Sequence, residues 1–213
     1  MKRLLPGILA MAAIVVASNI LVQFLIMDGL LTWGAFTYPF AFLVTDVMNR
    51  VYGVAAARKV ILAGFVTGIV CSLIGTQITL QGDGYSYQAV AMRVAAGSAT
   101  GFLIAQLVDV FVFDRLRNGS WWKAPFASSI IGSALDTTIF FGIAFSQSIT
   151  IFGENADMEV SWAWDAVPFL YIGAPVPLWV SLAVADWGVK LALALIALVP
   201  FRLIVKRLTA RMV

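Results

Sequence analysis

Charged side chains occur inside long apolar stretches of this 213-residue sequence. They are the strongest candidates for binding a ligand or transferring a proton. A charge at the centre of a membrane helix costs roughly 2.5 to 3.5 kcal/mol on insertion scales, so it persists where it lines a cavity or pairs with another charge. We therefore expect these side chains to face the interior of a helix bundle. They are Asp46, Arg50, Arg93, Asp109, Asp136, Asp186 and Lys190.

Four of these residues form two acid–base pairs with helical i,i+4 spacing, namely Asp46 with Arg50 and Asp186 with Lys190. This spacing places both partners on one helix face, one turn apart. Each pair could serve only to neutralise its own charge during insertion, or it could belong to a binding site.

Asp109 and Asp136 have no basic partner in their own apolar stretches, and an unpaired intramembrane carboxylate predicts a functional site. Trp187 directly follows Asp186, so its ring either lines the same site or packs against helices and lipid. Uncharged polar residues in these stretches predict a polar cavity near the middle of the membrane. They are Asn19, Gln23, Gln77, Gln106 and Thr137.

The sequence contains no histidine and a single cysteine, Cys71. Histidine-based catalysis, histidine metal sites and an internal disulfide are thereby excluded. A G-x-x-x-x-G-K-[ST] phosphate-binding loop is also absent, so any use of ATP would depend on a partner protein. We expect no enzymatic activity, no cofactor and no metal.

The composition indicates that lipid is the main solvent of this chain. Hydrophobic residues make up 62% and charged residues 12% of it, whereas soluble domains contain roughly 25% charged residues. A helix needs roughly 20 apolar residues to cross the hydrocarbon core. The sequence predicts an all-α, six-transmembrane-helix bundle that forms one transporter domain over residues 1–213, with spans at 6–26, 35–52, 60–80, 89–113, 124–148 and 179–198.

Segment 165–177 is apolar but interrupted by prolines and Gly173, and it is predicted to be a short re-entrant or interfacial segment before the last helix. Basic residues other than Arg50, Arg93 and Lys190 fall on one side of the predicted spans. The loops on the other side contain Asp28, Asp83, Glu154, Asp157, Glu159 and Asp165, without Lys or Arg. This asymmetry predicts a multi-pass protein of the bacterial inner membrane with both termini in the cytoplasm.

Short motifs along almost the whole chain occur in a characteristic order. They are Ser18-Asn19 with Gln23, Thr32-Trp33-Gly34-Ala35-Phe36, Tyr38-Pro39-Phe40, Thr45-Asp46, Arg50, Gly53, Arg93, Gln106 with Asp109, Phe113-Asp114-Arg115-Leu116-Arg117, Trp121-Trp122, Ala124-Pro125, Asp136-Thr137, and Asp186 with Lys190. In this order the chain resembles the queuosine precursor transporter family, six-helix bacterial membrane proteins formerly grouped as vitamin uptake transporters. It departs from the family at Arg50, where many members have an acidic residue, and at Ser133, where close relatives have Asn.

The resemblance implies import of 7-cyano-7-deazaguanine and 7-aminomethyl-7-deazaguanine, which are precursors of the modified tRNA base queuosine. A deazaguanine offers N–H groups to a carboxylate, flat faces to an aromatic ring, and a carbonyl to Arg, Lys or an amide. The substrate-binding residues are then expected among Asn19, Gln23, Asp46, Arg50, Arg93, Gln106, Asp109, Asp136, Asp186, Trp187 and Lys190.

Two modes of transport remain open from the sequence. The first is a secondary carrier or facilitator whose helices rock around a central site, driven by protons or by consumption of the substrate downstream. The alternative is a substrate-binding membrane subunit of an ATPase-energised uptake system. The expected partners are the lipid bilayer and the small-molecule substrate but no nucleic acid, and a homodimer is left open.

Overall fold

A computed structural model describes residues 3–21, 24–27, 30–81 and 86–210. Helices account for 76% of these residues. The α-helices are α1 (Leu5–Leu21), α2 (Gly34–Thr37), α3 (Phe40–Tyr52), α4 (Val54–Gly75), α5 (Met92–Leu116), α6 (Lys123–Phe145), α7 (Glu154–Val160) and α8 (Leu178–Ala210). Two-residue and three-residue strands form antiparallel hairpins, β1 (Leu25–Ile26) with β2 (Leu31–Thr32), β3 (Thr79–Gln81) with β4 (Ser86–Gln88), and β5 (Ala166–Pro168) with β6 (Pro175–Pro177).

Within the described residues, four helices are long and apolar enough to cross a membrane, namely α4, α5, α6 and α8. The apolar helix α1 has 17 residues and α3 has 13, both shorter than a regular span. The predicted helical membrane protein is confirmed, whereas the predicted count of six spans is not. The first predicted span also ends early, because α1 ends at Leu21 and Leu25–Ile26 already forms strand β1 of the β1–β2 hairpin.

Two backbone interruptions explain the other differences from the predicted spans. Pro39 has no N–H to donate, so the helix ladder breaks between α2 and α3. Gly53 has φ of 85° and separates α3 from α4, in a conformation that favours glycine. As a result, the predicted span 60–80 begins earlier, at Val54, and ends at Gly75. The last helix is longer than predicted and continues past Pro200 to Ala210.

Helices α5 and α6 pack closely because glycine lies at their interface. A Cβ on Gly97 would approach Phe140 O to 2.9 Å, and one on Gly101 would lie 3.2 Å from Asp136 Oδ1. Small residues allow such close approach between membrane helices. Gly101 therefore leaves the space in which the Asp136 carboxylate lies.

The predicted interrupted segment 165–177 is non-helical apart from a short 3-10 turn, Phe169–Tyr171. It forms the β5–β6 hairpin, in which Val167 pairs with Val176. Leu170 and Tyr171 have positive φ values of 49° and 66°. The hairpin contacts the start of α8, where the Ser181 hydroxyl accepts a hydrogen bond from Leu170 N at 3.1 Å.

Arg93 lies at the beginning of α5 and is fully buried. Its guanidinium donates to Ser146 O at 2.6 Å and to Ile143 O at 3.2 Å, carbonyls at the end of α6 that lack helical partners. It also forms an ion pair with Asp157 of α7 at 2.6 Å. Arg93 thus connects α5, α6 and α7 at the end of the bundle that carries the acidic residues of α7.

The opposite end of the bundle is rich in basic residues. Arg50 at the end of α3 donates to Arg117 O at 2.5 Å. The Arg117 guanidinium in turn donates to Asn49 O at 2.6 Å and pairs with Asp114 at 3.2 Å. Arg202 of α8 stacks over Trp121 at 4.7 Å from the ring centroid. The two ends of the bundle therefore differ in the sign of their charge.

We expect Arg93→Ala to lower the free energy of unfolding by about 3 to 5 kcal/mol, because it leaves Asp157 and two helix carbonyls without their buried partner. Thermal unfolding of the purified protein in lipid nanodiscs would measure the change. Arg115→Ala, at the exposed end of α5, is the matched control and should change stability by no more than about 0.5 kcal/mol. Equal melting temperatures of the two variants would contradict the structural role of Arg93.

Candidate functional site

Lys190 of α8 is the centre of a buried charged cluster. Its Nζ lies 2.7 Å from Asp136 Oδ2 of α6 and 2.6 Å from Asp186 Oδ2 of its own helix. It also donates to the Thr137 hydroxyl at 3.0 Å. Because an ammonium has three donors, each of them has an acceptor. The Asp186–Lys190 pair predicted from i,i+4 spacing is confirmed.

The basic partner of Asp136 lies on a different helix, so the apolar stretch around Asp136 did not reveal this pair. Its second oxygen, Oδ1, accepts a hydrogen bond from the Tyr38 hydroxyl at 3.0 Å. The Tyr38 ring also lies 5.4 Å from Lys190 Nζ, within the range of a cation–π interaction. We call Tyr38, Asp136, Thr137, Asp186 and Lys190 the Lys190 cluster.

Sequence reasoning missed Tyr38 as a site residue. The available signal was a tyrosine hydroxyl in an apolar segment directly before Pro39, since a buried tyrosine hydroxyl usually needs a partner. Tyr38 lies between α2 and α3, and its backbone is helical. From this position its side chain reaches α6 and α8.

A second polar group connects α3, α5 and α6. The carboxyl groups of Asp46 and Asp109 are 2% and 0% exposed and lie within hydrogen-bonding reach of each other. The Ser128 hydroxyl donates to Asp46 Oδ1 at 3.3 Å, and Ser129 donates to Oδ2 at 3.5 Å. We call Asp46 and Asp109 the carboxyl pair.

Neither oxygen of Asp109 has a hydrogen-bond donor among the described residues. Gln106 lies one turn before it on α5, accepts from the Thr45 hydroxyl at 2.6 Å, and has its own buried Nε2 without an acceptor. Unpaired polar atoms in a dry interior are costly. The carboxyl pair is therefore a site whose hydrogen bonds are incomplete.

The predicted pairing of Asp46 with Arg50 is wrong. The Arg50 guanidinium points along α3 to Arg117 O and over the Phe113 ring at 5.7 Å. Helical spacing puts the two residues on one face, but the long Arg50 side chain extends toward the end of its helix, where the free carbonyl at the end of α5 accepts from it. Asp46 is left to face Asp109.

A cavity of about 20 Å³ lies between α3, α6 and α8. Asp46 and Lys190 both line it, so it adjoins the Lys190 cluster and the carboxyl pair. Its other walls come from Pro39, Phe42, Leu43, Pro125, Ser129, Ser133, Ala194, Ala197, Leu198 and Phe201. This volume admits about one water molecule, so the cavity as it stands is too small for a larger ligand.

The other residues that the sequence predicted for the site make different contacts or are not described. Asn19 donates to Val15 O of its own helix at 2.8 Å, while Arg50 and Arg93 lie at opposite ends of the bundle. Trp187 has a buried indole N–H without an acceptor among the described residues, and Gln23 falls outside them. Gln77 is exposed after the end of α4, so its predicted place in the polar cavity is wrong. No group of three His, Cys, Asp or Glu that could hold a metal ion occurs in the described part of the chain.

Comparison with known proteins places these groups in a family context. The family model described as "Putative vitamin uptake transporter" matches residues 32–205, a range that contains both polar groups. The chain is 36% identical over 157 residues to the "Queuosine precursor transporter" of Escherichia coli (strain K12), which covers 70% of this chain and 71% of that protein.

Two further relatives are each named "Probable queuosine precursor transporter". The protein from Haemophilus influenzae is 37% identical over 139 residues, covering 62% of this chain and 57% of its own length. The protein from Bacillus subtilis (strain 168) is 30% identical over 128 residues, covering 54% and 56%. No solved structure gives a significant match.

We expect Lys190→Met to lower the free energy of unfolding by about 3 to 5 kcal/mol, because two carboxylates then share a buried site without a cation. Adding Asp136→Asn to this variant should restore part of the loss. The control is Lys206→Met, on the exposed end of the same helix, with a change of no more than about 0.5 kcal/mol. Denaturation in detergent micelles would test this series, and a double variant less stable than Lys190→Met would contradict the mutual neutralisation.

Proposed function

The chain belongs to the vitamin uptake transporter family, among the queuosine precursor transporters, and from this premise we propose that it imports queuosine precursors across the bacterial inner membrane. It is a transporter and not an enzyme. The proposed substrates are 7-cyano-7-deazaguanine and 7-aminomethyl-7-deazaguanine. The protein acts alone as a secondary carrier or facilitator.

The Lys190 cluster is the observation that supports this proposal most directly. It places a cation, two carboxylates and a tyrosine ring inside a bundle of apolar helices. A carboxylate can accept the ring N–H and exocyclic amine of a deazaguanine as a pair, while Lys190 donates to its carbonyl. Tyr38 supplies an aromatic face for the flat base. The proposed binding residues are therefore Tyr38, Asp136, Asp186 and Lys190.

Substrate binding then requires the cluster to exchange its internal bonds for bonds to the base. In the closed bundle Asp136 is occupied by Lys190 and Tyr38, and the neighbouring cavity has room only for water. When α8 moves away from α3 and α6, the same donors and acceptors become available to a ligand. Opening toward alternate sides of the membrane around this site would carry the base across.

The proposed topology has six spans with both termini in the cytoplasm. The basic end of the bundle, with Arg117 and Arg202, would face the cytoplasm, and the end with α7 would face outward. Four of these spans would be α4, α5, α6 and α8. Helices α2 and α3 together would form a fifth span, and α1 with the residues next to it would form the sixth. The hairpin β5–β6 would lie at the outer interface, and the whole chain, 1–213, would form one domain.

We expect Asp136→Asn to reduce the initial rate of uptake at least about tenfold, because a charge-assisted hydrogen bond is worth about 1.5 to 3 kcal/mol. The measurement is entry of labelled 7-cyano-7-deazaguanine into liposomes that contain only this protein, with excess guanine as competitor. Asp114→Asn is the control, since this carboxylate is 43% exposed at the end of α5. Uptake equal to that of the wild type in Asp136→Asn would refute the site. Binding of the base without entry would favour a subunit that needs an ATPase partner.

Cysteine labelling tests the proposed orientation, because Cys71 is the single cysteine and can be replaced. In a Cys71→Ser background, Glu154→Cys at the start of α7 should react with a membrane-impermeant thiol reagent in intact cells. Ser120→Cys, between α5 and α6, should react only after the cells are permeabilised. The reverse pattern would show that the bundle is inserted the other way round.

A further inference from the structure

The carboxyl pair is the buried titratable group that the proposed substrate site leaves unused. Asp46 comes from α3 and Asp109 from α5, and both are almost completely buried. The side chains that face Asp109 are Asp46 and Ser128, and Ser128 donates to Asp46. Two carboxylates in contact at such a site do not both carry a charge, because the like charges repel and neither is solvated.

Among the described residues, no cation is in contact with this pair. Arg50, one turn along α3, donates to Arg117 O. Lys190 on α8 is held by Asp136, Asp186 and Thr137. The groups that α6 presents to Asp46 are the hydroxyls of Ser128 and Ser129. On α5, Gln106 lies one turn before Asp109, and its amide oxygen accepts from Thr45.

The unpaired oxygens of Asp109 indicate which ligand completes the site. A proton placed on one carboxyl makes it a donor to the other, which satisfies an oxygen that otherwise has no partner. A sodium ion would instead need a shell of oxygens, and membrane proteins usually provide it with the free carbonyls of broken helices. Asp46, Asp109 and Ser128 all lie inside continuous helices, so the proton fits this site better.

We propose that Asp46 and Asp109 form a proton-binding site that couples proton entry to import of the base. The inference rests on the proposed transport function and adds its driving ion. Asp46 lines the same small cavity as Lys190, whereas Asp109 lies behind Asp46 and outside that lining. Any movement that opens the cavity to water on one side of the membrane therefore exposes the proton site to that side as well.

The shared cavity also explains why the proton and the base move together. A base in the cavity separates Lys190 from Asp46, so the loaded carrier closes only if a proton neutralises the carboxyl pair. After both have left for the cytoplasm, the cavity shrinks again to the size of a water molecule. As long as Lys190 stays with Asp136 and Asp186, the carboxyl pair keeps its proton. While the carrier is open to the cytoplasm, Lys190 can turn toward Asp46, which then releases the proton, and the empty carrier returns without it.

The carboxyl pair can be tested separately from the substrate site with Asp109→Asn. The asparagine amide can donate to Asp46 as the proton does, but it never releases that hydrogen. In liposomes, wild-type protein should accumulate labelled 7-cyano-7-deazaguanine under an inward proton gradient, up to about tenfold for one pH unit and one proton. Asp109→Asn should lose this accumulation and retain exchange of labelled for unlabelled base within a few-fold of wild type. Asp114→Asn should behave as wild type in both assays.

Several outcomes would overturn the proton site while leaving transport intact. The first is wild-type uptake that does not respond to the proton gradient, and the second is accumulation driven by a sodium gradient instead. The third is an Asp109→Asn variant that purifies as a folded protein but loses exchange and accumulation to the same extent. A wild-type protein that moves no base at all would instead contradict the proposed function. That result can be told apart because it affects exchange, which needs no gradient.

Infrared spectroscopy of the wild-type protein in lipid provides a measurement that does not depend on transport or on folding of a variant. At neutral pH we expect the carbonyl stretch of an un-ionised carboxylic acid, which Asp109→Asn and Asp46→Asn should each remove and Asp114→Asn should preserve. A wild-type spectrum without this band at neutral pH would show that the pair holds no proton and would overturn the inference.

Discussion

The arrangement of this bundle depends on the neutralisation of one buried ammonium group. Lys190 is 4% exposed in an apolar environment, where an isolated charge would be strongly unfavourable. Its acceptors come from α6 and α8, so these two helices are held at a fixed rotation and height relative to each other. Tyr38 adds the segment between α2 and α3 through its bond to Asp136. Helix packing and the polar site are therefore parts of the same interaction.

Small residues and backbone breaks make this convergence geometrically feasible. Gly101 allows α5 to approach α6 beside the Asp136 carboxylate. Gly132 of α6 also lies close to α5, since a Cβ added to it would be 3.3 Å from Asp109 Cβ. Tyr38, between α2 and α3, reaches inward to Asp136. These features bring α6 close to both α5 and α8, and α3 packs against all three of these helices. A transporter needs such proximity, because a bound molecule must contact several helices to influence their movement.

The two polar groups differ in how completely they are satisfied. In the Lys190 cluster each donor of the ammonium has an acceptor, and both oxygens of Asp136 are bonded. In the carboxyl pair, both oxygens of Asp109 are buried and have no hydrogen-bond donor among the residues that the structure describes. A fully satisfied network holds a structure in place, whereas an incomplete one is where a ligand gains most by binding. This difference is the physical basis for assigning the proton to the carboxyl pair. The proposed base site is the Lys190 cluster, whose internal bonds must first be exchanged for bonds to the base.

The class of protein and most of the buried charged residues could be predicted from the sequence. Long apolar stretches identify membrane helices because only a lipid environment favours them, and charges inside these stretches identify the polar interior. The Asp186–Lys190 pair followed from helical periodicity because both residues lie on one helix, and the order of motifs indicated the family. The ends of the helices around Pro39 and Gly53 were less accessible, since short interruptions hardly alter the average hydrophobicity of a stretch.

Which charges meet across helices follows from the tertiary structure and could not be read from the sequence. Asp136 pairs with Lys190, which is 54 residues away in sequence, and Asp46 faces Asp109 instead of Arg50. Arg93 and Arg50 satisfy carbonyl groups at opposite ends of the bundle and do not enter the central cavity. Periodicity specifies the neighbours of a residue on its own helix, but contacts between helices depend on their rotation, axial offset and separation. Those quantities arise from the packing of all side chains together, so no single stretch of sequence contains them.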